Sequence, residues 1–113
     1  MASVSFYNDT NLTLYIAIAY YDQGCSGNSA FRKEGWFKLL PRQKKTLWDG
    51  ASDLFYYIAI DEKHEWTWGG NSDTELPSHP FSRCMNEPGG TRYGMRVFEP
   101  KDDHTINLFT NPF

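Results

Sequence analysis

Residues 54–70 read LFYYIAIDEKHEWTWGG, and this stretch decides the fold. From Leu54 to Ile60 it is apolar at odd and even positions alike. Because alternate side chains of a β-strand point to opposite faces, a strand of this composition requires cover on both faces. Farther along, a single residue separates Trp66 from Trp68. In a strand this spacing predicts that both indoles lie on the same face, before the glycine pair ends the run.

The segment from Leu12 to Tyr21 predicts a central strand of the same kind. Its even-numbered residues form one face and its odd-numbered residues the other, and β-branched and aromatic residues dominate it. The small Ala17 and Ala19 on the odd face indicate that bulky side chains pack against them. Shorter strands are predicted at residues 4–7, 35–40, 46–48, 81–84, 92–98 and 104–109.

Turn residues separate these strands about every eight to twelve positions through much of the chain, and no stretch has helical periodicity. Two longer stretches, residues 22–34 and 71–80, are rich in polar residues with Gly or Pro, and we predict that they are irregular. A chain of 113 residues is long enough to close one core but not two. We therefore predict a single all-β domain over residues 1–113, an antiparallel β-sandwich of about eight or nine strands.

Composition narrows the classes of function. The formal net charge of -3 gives no basic footprint, so we expect no nucleic-acid partner. No apolar run approaches the roughly 20 residues of a membrane helix, so we expect no transmembrane segment. Aromatic residues make up 17% of the chain, which favours β structure and also offers side chains that could stack on a ligand.

The N-terminus and the cysteines bear on location. The first five residues, Met-Ala-Ser-Val-Ser, lack the basic region and apolar core of a secretory signal. We therefore expect a cytoplasmic protein, or one exported without a classical signal peptide. Two cysteines are too few for a disulfide scaffold, and we expect Cys25 and Cys84 to be free thiols, with a single bridge as the alternative.

Several short motifs recur in the same order in a known bacterial family. They are Asn8-Asp9-Thr10, Ile18-Ala19-Tyr20, Gly35-Trp36-Phe37 with Pro41, Tyr56-Tyr57 with Ala59, Trp68-Gly69, Phe81 with Cys84, and Phe98. On these motifs the chain resembles the small proteins catalogued as domain of unknown function 1036. The resemblance covers most of the chain and implies a small β fold, and it implies no mechanism.

One departure from that family concerns the cysteines. Such proteins commonly carry Gly-x-Cys after the proline of the Gly-Trp segment, whereas Pro41 is followed here by Arg-Gln-Lys. Cys84 therefore lacks the partner that a family disulfide would imply. A bridge to Cys25 would be specific to this chain.

Neither a metal site nor a catalytic site can be assembled from the sequence. The three histidines, His64, His79 and His104, lack the close spacing of zinc ligands, and we assign no metal. Calcium is the alternative, because acidic or amide residues crowd two loops (Asn71, Asp73 and Glu75; Glu99, Asp102 and Asp103). No nucleophile stands in a recognisable catalytic turn, and we predict that the protein is not an enzyme.

Carbohydrate binding has the most support among the binding functions. An aromatic plane can stack on the C–H face of a sugar while Asn and Asp bond its hydroxyls. Trp66 and Trp68 followed by Asn71 and Asp73 supply both components. The further candidate sites are Trp36 with the loop of residues 22–34, and Asp49 beside Trp48 and Gly50. For each tryptophan the alternative is a place in the core.

We therefore expect a non-catalytic, lectin-like binding module whose partner is a glycan. A weak single site gains avidity by self-association, so a homo-oligomer would fit. The alternative is an interaction protein, such as a toxin component or an assembly subunit, whose exposed aromatic residues meet a protein or membrane surface.

Overall fold

The computed structural model describes residues 2–25, 30–51 and 53–110, and over these residues the chain forms ten strands. The strands are β1 (Ala2–Asp9), β2 (Leu14–Tyr21), β3 (Phe31–Leu39), β4 (Lys44–Gly50), β5 (Phe55–Asp61), β6 (Thr67–Trp68), β7 (Ser72–Leu76), β8 (Phe81–Cys84), β9 (Thr91–Phe98) and β10 (His104–Phe109). The described residues include no helix. The predicted all-β class and sandwich-like architecture are confirmed.

The strands form two sheets. The smaller has the order β10-β1-β4, and the larger has the order β7-β9-β5-β2-β3-β8, with β6 paired to the end of β5. Neighbouring strands are antiparallel except β1 and β10, which pair in parallel from Val4 and His104 to Asp9 and Phe109. The predicted antiparallel arrangement is wrong for this pair. A parallel neighbour cannot follow by a short hairpin, and these strands come from opposite ends of the chain.

The two apolar strands β2 and β5 lie side by side in the larger sheet and are covered on both faces. One core lies between the sheets and takes the even positions of β2 and the odd positions of β5, including Ile16, Ile18 and Tyr57, against Phe6 of β1. The second core takes the opposite faces and lies within the larger sheet. Its members from the two strands include Ala17, Ala19, Ile58 and Ile60. The predicted cover on both faces is confirmed, whereas the expectation of a single core is wrong, because each face of β2 and β5 has its own cluster of buried residues.

The larger sheet curls so that β3 approaches the region of β7, although the two strands are not paired. The buried Lys33 of β3 donates from Nζ to the Glu75 carbonyl at 2.6 Å and to the Thr74 hydroxyl at 3.0 Å. Burial, reinforced by the charge of Arg83, lowers the pKa of the Lys33 ammonium. These contacts close one side of the second core. The buried ammonium group there is hydrogen-bonded, as buried polar groups generally are.

The prediction that residues 71–80 are irregular is wrong for Ser72–Leu76, which form the edge strand β7 against β9. An edge strand is held by backbone hydrogen bonds and needs few apolar side chains, so its composition resembles that of a loop. The chain enters β7 through a tight crossing over β9. A Cβ atom on Gly69 would lie 2.4 Å from the Gly94 carbonyl oxygen, so glycine is required at this crossing.

The expectation that the cysteines are free is also wrong, because Cys25 and Cys84 form a disulfide with their Cα atoms 5.5 Å apart. Cys84 ends β8 and lies opposite Arg32 in the β3–β8 ladder. The described part of the loop before β3 folds back onto the same strand, with Asp22 in an ion pair with Arg32 at 2.7 Å. The prediction that residues 22–34 are irregular is wrong for residues 31–34, which belong to β3, and residues 26–29 lie outside the described residues.

The turn after β1 is organised by the fully buried Asn8. Its amide nitrogen donates to the Leu12 carbonyl at 2.7 Å and the Leu39 carbonyl at 3.1 Å. Its oxygen accepts from the backbone and the hydroxyl of Thr10. Asn8 therefore joins β1, the following turn and the end of β3 through hydrogen bonds that a smaller side chain cannot replace.

Candidate binding site

Trp66 and Trp68 stack on each other, which agrees with the prediction that both indoles lie on one face. Their ring centroids are 6.3 Å apart and their planes differ by 22°. Trp68 is half-buried, packs against the core between the sheets, and donates from its indole nitrogen to the Phe109 carbonyl at 3.0 Å. Trp66 is 40% exposed. One indole is therefore anchored, and it supports a second that is open to solvent.

These two residues line a hollow of about 440 Å³, together with the exposed Arg96 and Asn107. We call it the tryptophan hollow. It lies where β10 of the smaller sheet approaches β5, β6 and β9 of the larger one. Its apolar side includes Leu108, which belongs to the core between the sheets. The hollow thus combines an aromatic platform with an amide and a guanidinium group.

The position of Trp66 is set by a buried carboxylate at the end of β5. Asp61 is 0% exposed, and its Oδ1 accepts the backbone N–H groups of Glu65 at 2.7 Å and Trp66 at 2.6 Å. Its Oδ2 accepts the N–H of Lys63 at 3.3 Å. Burial raises the pKa of the Asp61 carboxyl, but these three N–H groups and that of Asp61 itself outweigh burial and hold that pKa below its usual value.

The structure does not bring Asp73 to the tryptophans. Asp73 lies on β7 and lines a separate polar hollow of about 190 Å³, which also contains Lys33 and Arg92. Its carboxylate is 3.7 Å from the Arg92 guanidinium. Asn71 is exposed and is not among the residues that line the tryptophan hollow. The predicted grouping of these two residues with Trp66 and Trp68 is not observed.

Trp36, the second predicted sugar contact, lies in a third hollow of about 300 Å³. We call this the aromatic hollow and define it by Tyr15, Trp36, Tyr93, Glu62 and His64. A bulge in β3 turns Trp36 toward the second core, because Gly35 and Trp36 together oppose Ala17 of β2. The described part of the loop 22–34, which we expected beside Trp36, does not line this hollow.

Asp49, the third predicted contact, is exposed on β4 and lines none of these three hollows. Its neighbour Trp48 packs against Phe55, with ring centroids 5.5 Å apart, and against the core between the sheets. For Trp48, the alternative of a place beside the core is the one observed.

No group of three or more His, Cys, Asp or Glu side chains in the described ranges is arranged to hold a metal ion. Several of the loop acids considered for calcium have other partners. Glu75 accepts the Gly89 N–H at 2.6 Å, and Asp103 accepts the Ser3 hydroxyl at 2.9 Å.

Sequence reasoning missed the polar residues of two hollows. Arg96 and Asn107 come from β9 and β10, and they meet the tryptophans only through the pairing and stacking of distant strands. No local pattern encodes such a meeting. Glu62 and His64 could have been found more easily from the sequence, because they directly follow the buried strand β5.

No known family model matches the chain, and neither a curated protein nor a solved structure is significantly similar to it. The resemblance to domain of unknown function 1036 therefore stays a prediction. The part of the chain that the structure describes has no helix that is long and apolar enough to cross a membrane.

Proposed function

We propose that the protein is a non-catalytic carbohydrate-binding module and that its site is the tryptophan hollow. The observation that carries this proposal is the exposed Trp66 indole, which stacks on the anchored Trp68 beside Arg96 and Asn107. Ligand sites are typically apolar or aromatic surfaces with a few polar groups that fix the orientation of the ligand. A sugar ring has the complementary form, with an apolar C–H face and hydroxyl groups around its edge.

The platform is held in place before any ligand arrives. Trp68 is fixed by its bond to the Phe109 carbonyl, and the backbone of Trp66 is fixed by Asp61. A rigid aromatic surface loses little conformational entropy on binding, so more of the contact energy contributes to affinity. This arrangement supports a binding role for Trp66 beyond that of an incidental exposed side chain.

The polar groups around the platform suit hydroxyl recognition. The guanidinium of Arg96 is a donor, and the amide of Asn107 is both donor and acceptor. Among the described residues, no Asp, Glu or His lines the tryptophan hollow. Glycoside hydrolysis ordinarily requires a pair of carboxyl groups, so this lining favours binding over hydrolysis.

The disulfide bears on where binding would occur. Disulfides persist in oxidising compartments, and surface glycans lie in such environments. We therefore favour export over a cytoplasmic location. Because a single platform binds weakly, we also propose that self-association raises the avidity of the module for repeated glycans.

The test is a glycan array probed with labelled protein, first with calcium and then with a chelator. We expect binding that Trp66→Ala abolishes. The matched control is Tyr21→Ala, which removes another exposed aromatic residue that does not line the tryptophan hollow. We expect the control to bind as the wild type does. Circular dichroism establishes that both variants are folded.

A blank array from folded protein would refute the proposal. The alternative, a protein- or membrane-interaction module, would then be favoured. Its specific support is that Phe109, 52% exposed, lines the same hollow as Trp66. Exposed apolar residues at one site are typical of interaction surfaces.

A further inference from the structure

The aromatic hollow is a second preformed site, separate from the tryptophan hollow. Trp36 packs against Tyr93 with ring centroids 5.6 Å apart and an angle of 73° between the planes. Its indole nitrogen donates to the Pro77 carbonyl at 2.8 Å, which fixes the ring. Tyr15 contributes a third aromatic side chain to the lining. Two rings in edge-to-face contact form adjoining walls, and a small group lying in the open angle beside them can contact both.

The charge of the lining has one sign. Glu62 contributes a carboxylate, and no Lys or Arg is among the described residues that line the hollow. Glu62 is exposed, and it forms no ion pair with any residue in the described ranges. Its backbone is held by a bond from its N–H to the Thr13 carbonyl at 3.1 Å. An unpaired carboxylate therefore stands at the mouth of an aromatic cavity.

We propose that the aromatic hollow binds a small organic cation, namely a quaternary or methylated ammonium group. The faces of aromatic rings are negative and attract cations, and several rings around one ammonium group add their effects. A methylated ammonium is weakly hydrated and has apolar surface to bury, which suits an aromatic lining. The carboxylate of Glu62 supplies the complementary charge. The volume of about 300 Å³ is at the small end of ligand sites.

His64 contributes an imidazole to the lining of the hollow. A protonated imidazole would repel the cation, and a neutral one would not. Binding should therefore also be measured on His64→Asn, whose side chain cannot carry a charge. In that variant, Glu62 is the charge that the ligand meets.

The test is a titration of the full chain followed by ¹H–¹⁵N NMR, with choline as the probe. The comparison ligand is 3,3-dimethylbutan-1-ol, which has the same shape and a carbon atom in place of the charged nitrogen. We expect choline to shift the indole N–H signal of Trp36. We expect the uncharged alcohol to bind about five- to thirtyfold more weakly, as the loss of a cation–π interaction predicts.

Two substitutions in the same turn separate charge from fold. Glu62→Gln should weaken choline binding about threefold to tenfold and leave binding of the alcohol unchanged. Glu65→Gln removes an exposed acid of the same turn that does not line the hollow, and it should have no effect. A third variant, Tyr93→Leu, keeps apolar bulk and removes an aromatic face, so it should weaken choline binding.

Three results would overturn the proposal. Equal affinities for choline and the alcohol would mean that the hollow recognises apolar shape alone. Shifts confined to the Trp66 indole would place the cation in the tryptophan hollow. The absence of any shift at tens of millimolar choline would exclude the site. None of these results decides whether the protein binds glycans, because the glycan array tests that binding separately.

Discussion

Replacing the buried carboxylate of Asp61 with an amide tests the turn that carries residues of both hollows. Asp61→Asn keeps the shape of the side chain and removes its charge. Oδ1 can still accept from Glu65 and Trp66, but the new amide group presents a donor where Oδ2 accepted the N–H of Lys63. The substitution therefore weakens two hydrogen bonds and removes a third.

The size of the effect follows from these contacts. A hydrogen bond to a charged group contributes about 1.5–3 kcal/mol and a neutral one about 0.5–1.5 kcal/mol, so each retained bond loses about 1 kcal/mol. Loss of the third bond adds to this, and the lower cost of burying a neutral amide offsets part of it. We expect a net loss of about 2 kcal/mol in the free energy of unfolding. For a chain of this length, that corresponds to a fall of about 8 °C in Tm.

The effect should depend on pH in a defined direction. The folded state holds the pKa of Asp61 below its unfolded value, so the ionised carboxylate contributes stability above about pH 4. That contribution is lost as the pH falls through the folded pKa. The difference in stability between wild type and Asp61→Asn should therefore be constant from about pH 5 to 7 and should shrink in stronger acid.

The assay is urea unfolding of both proteins at a series of pH values between 7 and 3. The other carboxylates titrate in both proteins, so their contributions cancel in the difference. A difference that stays constant down to pH 3 would refute the claim that hydrogen bonds to the ionised carboxylate hold the turn. Equal free energies of unfolding for the wild type and Asp61→Asn at pH 7 would refute the predicted loss of about 2 kcal/mol.

Three further predictions concern single features of the fold. Reduction of the disulfide, or substitution of Cys25 and Cys84 by serine, removes a link between residues 59 positions apart. It should lower the free energy of unfolding by about 4 kcal/mol, and an unchanged urea midpoint would contradict this. Asn8→Asp places a buried charge against two carbonyl groups that need a donor. It should lower the free energy of unfolding in urea by about 3 kcal/mol or more. A loss below about 1 kcal/mol would mean that the site is solvated. Burial and the hydrogen bond to Glu34 raise the pKa of the Tyr20 hydroxyl, so ultraviolet titration should find a tyrosine that ionises later than the others. That late step should disappear in Tyr20→Phe, and its persistence would assign it to another residue.

The central part of the fold was predictable from sequence because few structures satisfy its pattern. A strand with apolar side chains on both faces needs other residues packed against each face. In β2 and β5, one core covers one face and the second core covers the other. The small Ala17 and Ala19 predicted bulky neighbours. Trp36 packs against the core that contains them. In these strands, local pattern and global packing agree.

The edges of the fold were harder to predict, because their determinants are distant in sequence. β7 is held by its backbone pairing with β9, and its residues resemble those of a loop. The disulfide depends on the pairing of β8 with β3, which brings Cys84 to the loop that contains Cys25. Neither the spacing of the cysteines nor their number encodes that proximity.

The candidate site was predictable in part. A period of two places Trp66 and Trp68 on one face, and the rings do stack. The same reasoning placed Asp73 beside them, and it failed because the chain turns at the glycine pair before β7 begins. Arg96 of β9 lines the tryptophan hollow, whereas Asp73 of β7 lines a separate hollow.

The turn after β5 joins these observations. Its residues divide between the two hollows, with Glu62 and His64 lining the aromatic hollow and Trp66 lining the tryptophan hollow. Asp61 has no exposed surface and lines neither hollow, yet it fixes the backbone that presents these side chains. Loosening this turn should therefore weaken glycan and choline binding together, whereas Trp66→Ala and Glu62→Gln should each affect one ligand. The affinities of Asp61→Asn for the glycan and for choline should therefore be measured together. Unchanged binding of either ligand would show that its hollow does not depend on the turn.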